Sequence, residues 1–92
     1  MTEITEILQT PTFKKAVKKL HKNQKADLDA AVRELIEDPL LGEQKKGDLA
    51  FLRVYKFKMV KQLILLGYSH EEDTLILELI ALGSHENFYR DV

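Results

Sequence analysis

The sequence predicts an α+β fold, order β-α-α-β-β-β: a small antiparallel β-sheet, built from an N-terminal edge strand and a C-terminal three-stranded meander, packed on an α-helical hairpin. Three observations point there. Two segments of the first half repeat apolar residues at helical spacing, three segments of the second half are apolar or alternating over strand lengths, and proline or glycine marks the junctions. With 92 residues, 45% of them hydrophobic, the chain suits a single domain spanning residues 1–92 around one core.

Each element has its own signal. Ile4 to Leu8 alternate weakly and Thr10-Pro11 cuts the pattern off, which marks a short edge strand. Thr10 suits an N-cap and Pro11 the first helical position. Phe13, Ala16, Val17 and Leu20 then line one face of a helix that is expected to run to about Lys22. Asn23 is expected to cap a second helix, with Leu28, Ala31, Val32, Leu35 and Ile36 on its apolar face and Asp38-Pro39 as its stop. Leu40 to Asp48 mixes glycines with charges and reads as a loop without regular structure.

Three strands complete the chain. Ala50 to Lys58 alternates, with Leu52 and Val54 on one face and Arg53, Tyr55 and Phe57 on the other, and this second face is expected to be the open one. Met59 to Lys61 turns the chain without a glycine. Gln62 to Ser69 follows, then a polar turn from His70 to Asp73. Leu75 to Leu82 is apolar apart from Glu78, as in a central strand buried on both faces, and Gly83 is expected to end it.

Charge and composition narrow the function. The net charge of −1 conceals segregation: Lys14, Lys15, Lys18, Lys19, Lys22 and Lys25 occupy a stretch without acids, and Lys45, Lys46, Arg53, Lys56, Lys58 and Lys61 are offset only by Asp48. Glu71, Glu72, Asp73, Glu78, Glu86 and Asp91 face only Arg90. There is no cysteine, and the three histidines, His21, His70 and His85, have no ligand spacing, so no metal is expected. His21 and His70 read as surface residues. No run of about 18 apolar residues is present to cross a membrane, and the first residues lack a signal-peptide pattern, which predicts a cytoplasmic protein.

The polar side chains gather past Gly83, in Ser84, His85, Glu86, Asn87, Phe88, Tyr89, Arg90 and Asp91. A histidine there suits proton transfer near neutrality, Tyr89 suits base stacking or proton donation, and Phe88 reads as a core-closing aromatic.

Over nearly its whole length the chain resembles the RelE/ParE superfamily of bacterial toxins from type II toxin-antitoxin modules. The resemblance rests on Phe13-Lys14-Lys15, on Gly47-Asp48-Leu49 leading into Leu52-Arg53-Val54-Tyr55, and above all on Leu82-Gly83-Ser84-His85-Glu86-Asn87-Phe88-Tyr89, which is similar to the ending of the YafQ-like mRNA-cleaving branch. It implies a toxin neutralised by a co-encoded antitoxin. For the RelE branch it implies an mRNA endoribonuclease acting in the ribosomal A site without a cofactor, and for the ParE branch a poison of DNA gyrase; a degenerate toxin that keeps only antitoxin binding is the third alternative. On the nuclease reading His85 and Tyr89 match the terminal catalytic pair, and Arg53, which falls where the RelE branch has a catalytic strand lysine, is expected to converge with them as a phosphate clamp with Lys61; the next strand begins Lys61-Gln62 where the family has an arginine, so that cation is either Lys61 or missing. Lys14, Lys15, Lys18, Lys56 and Lys58 are then expected to contact RNA and the ribosome, and Tyr55 and Phe57 the antitoxin.

Overall fold

The computed structural model describes residues 4–71, 76–84 and 88–90. Its elements are β1 (Glu6–Gln9), α1 (Pro11–Lys18), α2 (Lys22–Glu37), β2 (Glu43–Gln44), β3 (Arg53–Met59), β4 (Gln62–Ser69) and β5 (Ile76–Ser84). Short 3-10 turns occupy Gly47–Leu49 and Phe88–Arg90. The strands form one five-stranded sheet ordered β1-β5-β4-β3-β2.

The meander β3-β4-β5 is antiparallel as its short connections require. β1 differs. It pairs parallel to β5, Ile7 opposite Leu77 and Gln9 opposite Leu79, so the sheet is mixed rather than antiparallel throughout. The stretch expected to be an irregular loop contributes β2, two residues that pair with Arg53 and Val54 at the far edge, and a 3-10 turn. Composition misleads here because a two-residue strand needs a neighbour to pair with and has no pattern of its own.

Thr10 joins the two layers. Its side chain accepts the Phe13 amide proton at 3.1 Å, capping α1. Its amide donates to the Leu79 carbonyl at 3.0 Å and its hydroxyl donates to the Ile80 carbonyl. Those carbonyls belong to a β-bulge: Gly67 lies opposite Ala81 while Tyr68 lies opposite Leu79, leaving Ile80 as the extra residue. The bulge shifts the alternation of β5, so that Leu77, Leu79 and Leu82 pack with the helices while Ile80 and Ala81 pack on the other side. The strand continues through Gly83 to Ser84 instead of ending at the glycine, and its burial is uneven, with Ile76 exposed and Glu78 and Ile80 half-buried.

α1 stops at Lys18, four residues short of the expected end, and α2 begins earlier than Asn23 predicts. The N-cap is His21, whose amide donates to the Gln24 side chain at 2.7 Å, while the Asn23 side chain only accepts the Gln24 amide. His21 is accordingly exposed.

Both helices cover one sheet face. Phe13, Leu28 and Leu35 form a core there with Met59, Ile64, Leu66, Tyr68, Leu77, Leu79 and Leu82, against which Tyr55 and Phe57 also pack. Leu52, Val54, Leu65, Ala81 and Phe88 form a second cluster on the opposite face. The two faces of β3 are therefore the reverse of the expected ones: Arg53, Tyr55 and Phe57 lie on the helical side, and Val54 shares the other side with Lys56 and Lys58.

Candidate nucleic-acid interface on the open sheet face

Lys56 and Lys58 alternate with the half-buried Tyr55 and Phe57, so both exposed ammonium groups project from the face the helices leave uncovered. Across that face Lys56, Leu65 and Gly83 form one cross-strand row, and Lys58 pairs with Leu63 in the next. The C-terminal 3-10 turn seats itself over this surface. Phe88 is 1% exposed, and a β-carbon added to Gly67 would stand 2.6 Å from its ring. One at Gly83 would lie 3.4 Å from its α-carbon. Two glycines thus leave the shallow bed in which Phe88 lies, and at strand spacing the Lys56 backbone is about 10 Å from Gly83.

Phe88 carries Tyr89 with it. The two rings meet edge to face, centroids 5.0 Å apart at 89°, and Tyr89 remains 44% exposed. Lys45 stands over the same ring, with Nζ 5.9 Å from its centroid. Lys45 titrates above its ordinary value, chiefly through Tyr89 and secondarily Glu43, with burial acting in the opposite sense. The sequence marks Lys45 only as one of a basic stretch and does not pair it with Tyr89, which lies far along the chain.

Arg53 takes another course. It extends on the helical side beneath the segment after α2, where its Nη1 donates to the carbonyls of Leu40 at 3.2 Å and Gly42 at 2.6 Å. Tyr68 closes the same corner, accepting from the Gly42 amide at 2.9 Å and donating to the Pro39 carbonyl at 2.7 Å, and burial pushes its phenol pKa up. Arg53 and Tyr89 therefore occupy opposite faces of the sheet, and the expected convergence of the two is absent. Nor does Arg53 reach across to Glu78 for its hydrogen bonds, although both line a cavity of about 370 Å³ at this end of the sheet with Ser69 and His70. His70 is half-buried there, not a surface residue.

Lys61 sits at the tip of the β3-β4 hairpin, exposed, in the two-residue turn Val60-Lys61. Lys14, Lys15 and Lys18 are exposed on α1, in the helical layer and away from Lys56 and Lys58. Tyr55 and Phe57 stack at 6.1 Å beneath α2, and the Tyr55 hydroxyl donates to the Glu34 carboxylate. His85 lies outside the described residues. Among those described, no three metal-ligating side chains are grouped to hold an ion, and no helix is long and apolar enough to cross a membrane.

Comparison with solved structures places this architecture. The chain is similar to a double arginine-to-alanine mutant of the E. coli RelE toxin in the free state at 17% identity and TM-score 0.70, covering 94% of this chain and 86% of that one. It is similar to a chain of the intact E. coli RelBE toxin-antitoxin complex at 19% identity and TM-score 0.66, covering 85% and 93%. The conserved hypothetical protein HP0894 from Helicobacter pylori aligns at 20% identity and TM-score 0.60, covering 94% and 97%. No curated protein matches the chain by sequence. The model of the family described as ParE-like toxin of type II bacterial toxin-antitoxin system matches residues 7–92. The chain therefore belongs to the ParE-like toxins of type II toxin-antitoxin systems.

Proposed function

We propose that this toxin is a metal-independent endoribonuclease that cleaves mRNA on the ribosome and so inhibits translation. The observation that carries the reading is the sharing of one open sheet face by Lys56, Lys58 and the exposed ring of Tyr89. Two ammonium groups two residues apart on a strand draw a phosphate backbone, and an exposed phenol next to Phe88, which packs on that face, offers a stacking surface for an unpaired base.

In the proposed reaction the substrate 2′-hydroxyl attacks the adjacent phosphorus and the bond to the 5′-oxygen breaks, leaving a cyclic phosphate and a free 5′-hydroxyl. A base must accept the 2′ proton and an acid must protonate the leaving oxygen. His85 and Tyr89 are the proposed pair. Lys56 and Lys58 replace Arg53 as the cations beside the charge that builds on the phosphorane; Lys61, at the hairpin tip, and Lys14, Lys15 and Lys18, on α1, supply longer-range attraction for ribosomal RNA. A co-encoded antitoxin is the proposed protein partner, supported by the similarity to a chain of the RelBE toxin-antitoxin complex. The apolar groove of about 400 Å³ between β1 and the helices, lined by Ile7, Phe13, Val17, Leu28, Val32 and Leu79, suits one of its segments. The exposed parts of the half-buried Tyr55 and Phe57 beneath α2 suit another.

The ParE-like description and the Gln62 that opens β4 favour a second reading, a gyrase poison without nuclease activity. Inducing the chain and mapping transcript ends together with gyrase-trapped DNA separates the two. Codon-spaced cuts that vanish in Lys56→Gln/Lys58→Gln and in His85→Ala, while antitoxin binding persists, support the nuclease. Trapped gyrase with intact transcripts sinks it.

A further inference from the structure

A three-residue 3-10 turn has too few backbone hydrogen bonds to fix the direction of an exposed side chain. Phe88 is locked by burial over Gly67, but it meets Tyr89 in a single T-shaped ring contact, and that contact alone leaves the phenol free to swing about its own torsions. The ring is nevertheless also approached by Lys45, whose Nζ lies 5.9 Å from its centroid, and Lys45 is itself held. Its amide donates to the Leu52 carbonyl at 2.9 Å, which ties it to the chain leading into β3. Its Nζ lies 3.4 Å from Glu43 Oε1 on β2, and its side chain is only 23% exposed against 73% for that of Glu43.

We propose that Lys45 is a positioning residue for Tyr89: tethered by Glu43, its ammonium fixes the phenol ring over the open sheet face, so that edge strand β2 sets the geometry of the C-terminal turn. An ammonium beside an aromatic face is attracted by the ring quadrupole, and one already restrained by a carboxylate loses less freedom in making that contact. Two elements far apart in sequence are thereby joined at one point. The inference rests on the ribonuclease reading only for its consequence, that a positioned ring binds an RNA base better than a mobile one.

Because Glu43 neutralises much of its field, Lys45 contributes little to phosphate attraction. This separates it from Lys56 and Lys58. Replacing either of those lowers the salt dependence of RNA binding by about one unit of slope, whereas Lys45→Met leaves the slope unchanged and weakens binding by about two- to five-fold. Lys45→Arg restores the affinity, since a guanidinium also lies against aromatic rings.

The test uses the full chain in two arms. With labelled tyrosines and Tyr89→Phe for assignment, NMR of the free protein is expected to show proximity between the Tyr89 ring and the Lys45 methylenes. Lys45→Met and Glu43→Gln should then move the ring signals toward those of an unstructured tyrosine while Phe88 and Leu52 stay in place, and Lys45→Arg should reverse the change. Unmoved Tyr89 signals in Lys45→Met, or Phe88 signals that shift equally, overturn the proposal. In the second arm a single-stranded RNA oligonucleotide is titrated at several salt concentrations, and a slope that falls by one unit in Lys45→Met makes it a phosphate contact and also overturns the proposal. If wild-type protein ignores the free oligonucleotide, the base-binding consequence drawn for Tyr89 fails, the ribosome-dependent reading still rests on the mapping of transcript ends, and the NMR arm decides the role of Lys45.

Discussion

Tyr55 and Arg53 stand two residues apart on β3, and the structure gives each a task in holding the helical layer. The hydrogen bond to Glu34, together with burial, raises the Tyr55 phenol to about 12, above its ordinary value of 10.0. Since the folded state keeps this proton more tightly than the unfolded chain, the stabilisation is complete below pH 10 and is lost as pH rises through about 12. Tyr55→Phe should therefore lower stability by about 1 kcal/mol near neutrality, and the difference from wild type should shrink in thermal melts taken across that alkaline window. Arg53→Met removes two donors from the Leu40 and Gly42 carbonyls and should cost roughly 1–3 kcal/mol. RNA affinity of the folded variant should be unchanged, and a variant of normal Tm that no longer binds RNA would return Arg53 to the interface.

At the scale of elements, the β3-β4 hairpin and the seat of the C-terminal 3-10 turn each depend on a residue whose role the chain alone conceals. Val60 and Lys61 both take positive φ, 51° and 82°, as a two-residue hairpin turn of this kind requires. A β-branched residue is strained there, and its amide is held by Asp27 Oδ2 at 2.9 Å, which ties the turn to α2. Val60→Asn with Lys61→Gly should raise stability by roughly 1–2 kcal/mol, read as a higher denaturant midpoint at constant slope. Gly67 works in the opposite sense. Its missing side chain admits Phe88, so Gly67→Ala must displace that ring and should cost about 1–3 kcal/mol, with loss of the Phe88 to Tyr89 ring contact in NMR spectra. Both positions read as ordinary strand or turn letters, because the distinction lies in backbone dihedrals and in an atom from elsewhere in the fold.

Across the whole molecule the sheet divides two jobs, with the helices, the Arg53-Tyr68 corner and an apolar groove on one face and Lys56, Lys58, Lys45 and Tyr89 on the other. Lys56→Gln/Lys58→Gln should leave the melting temperature near that of wild type, since both side chains are exposed, while reducing the salt slope of RNA binding by about two. Helical spacing, strand alternation and punctuation by Thr10-Pro11 and Asp38-Pro39 were enough to determine the order of the first strand, the two helices and the meander, because each depends on residues close in sequence. Alternation along β3 also determined which residues share a face, but a period of two cannot say which face a helix covers. That choice, the parallel pairing of β1 with β5, the bulge at Ile80 and the meeting of Lys45 with Tyr89 were decided only by the tertiary structure, since each requires segments distant in the chain to be brought side by side.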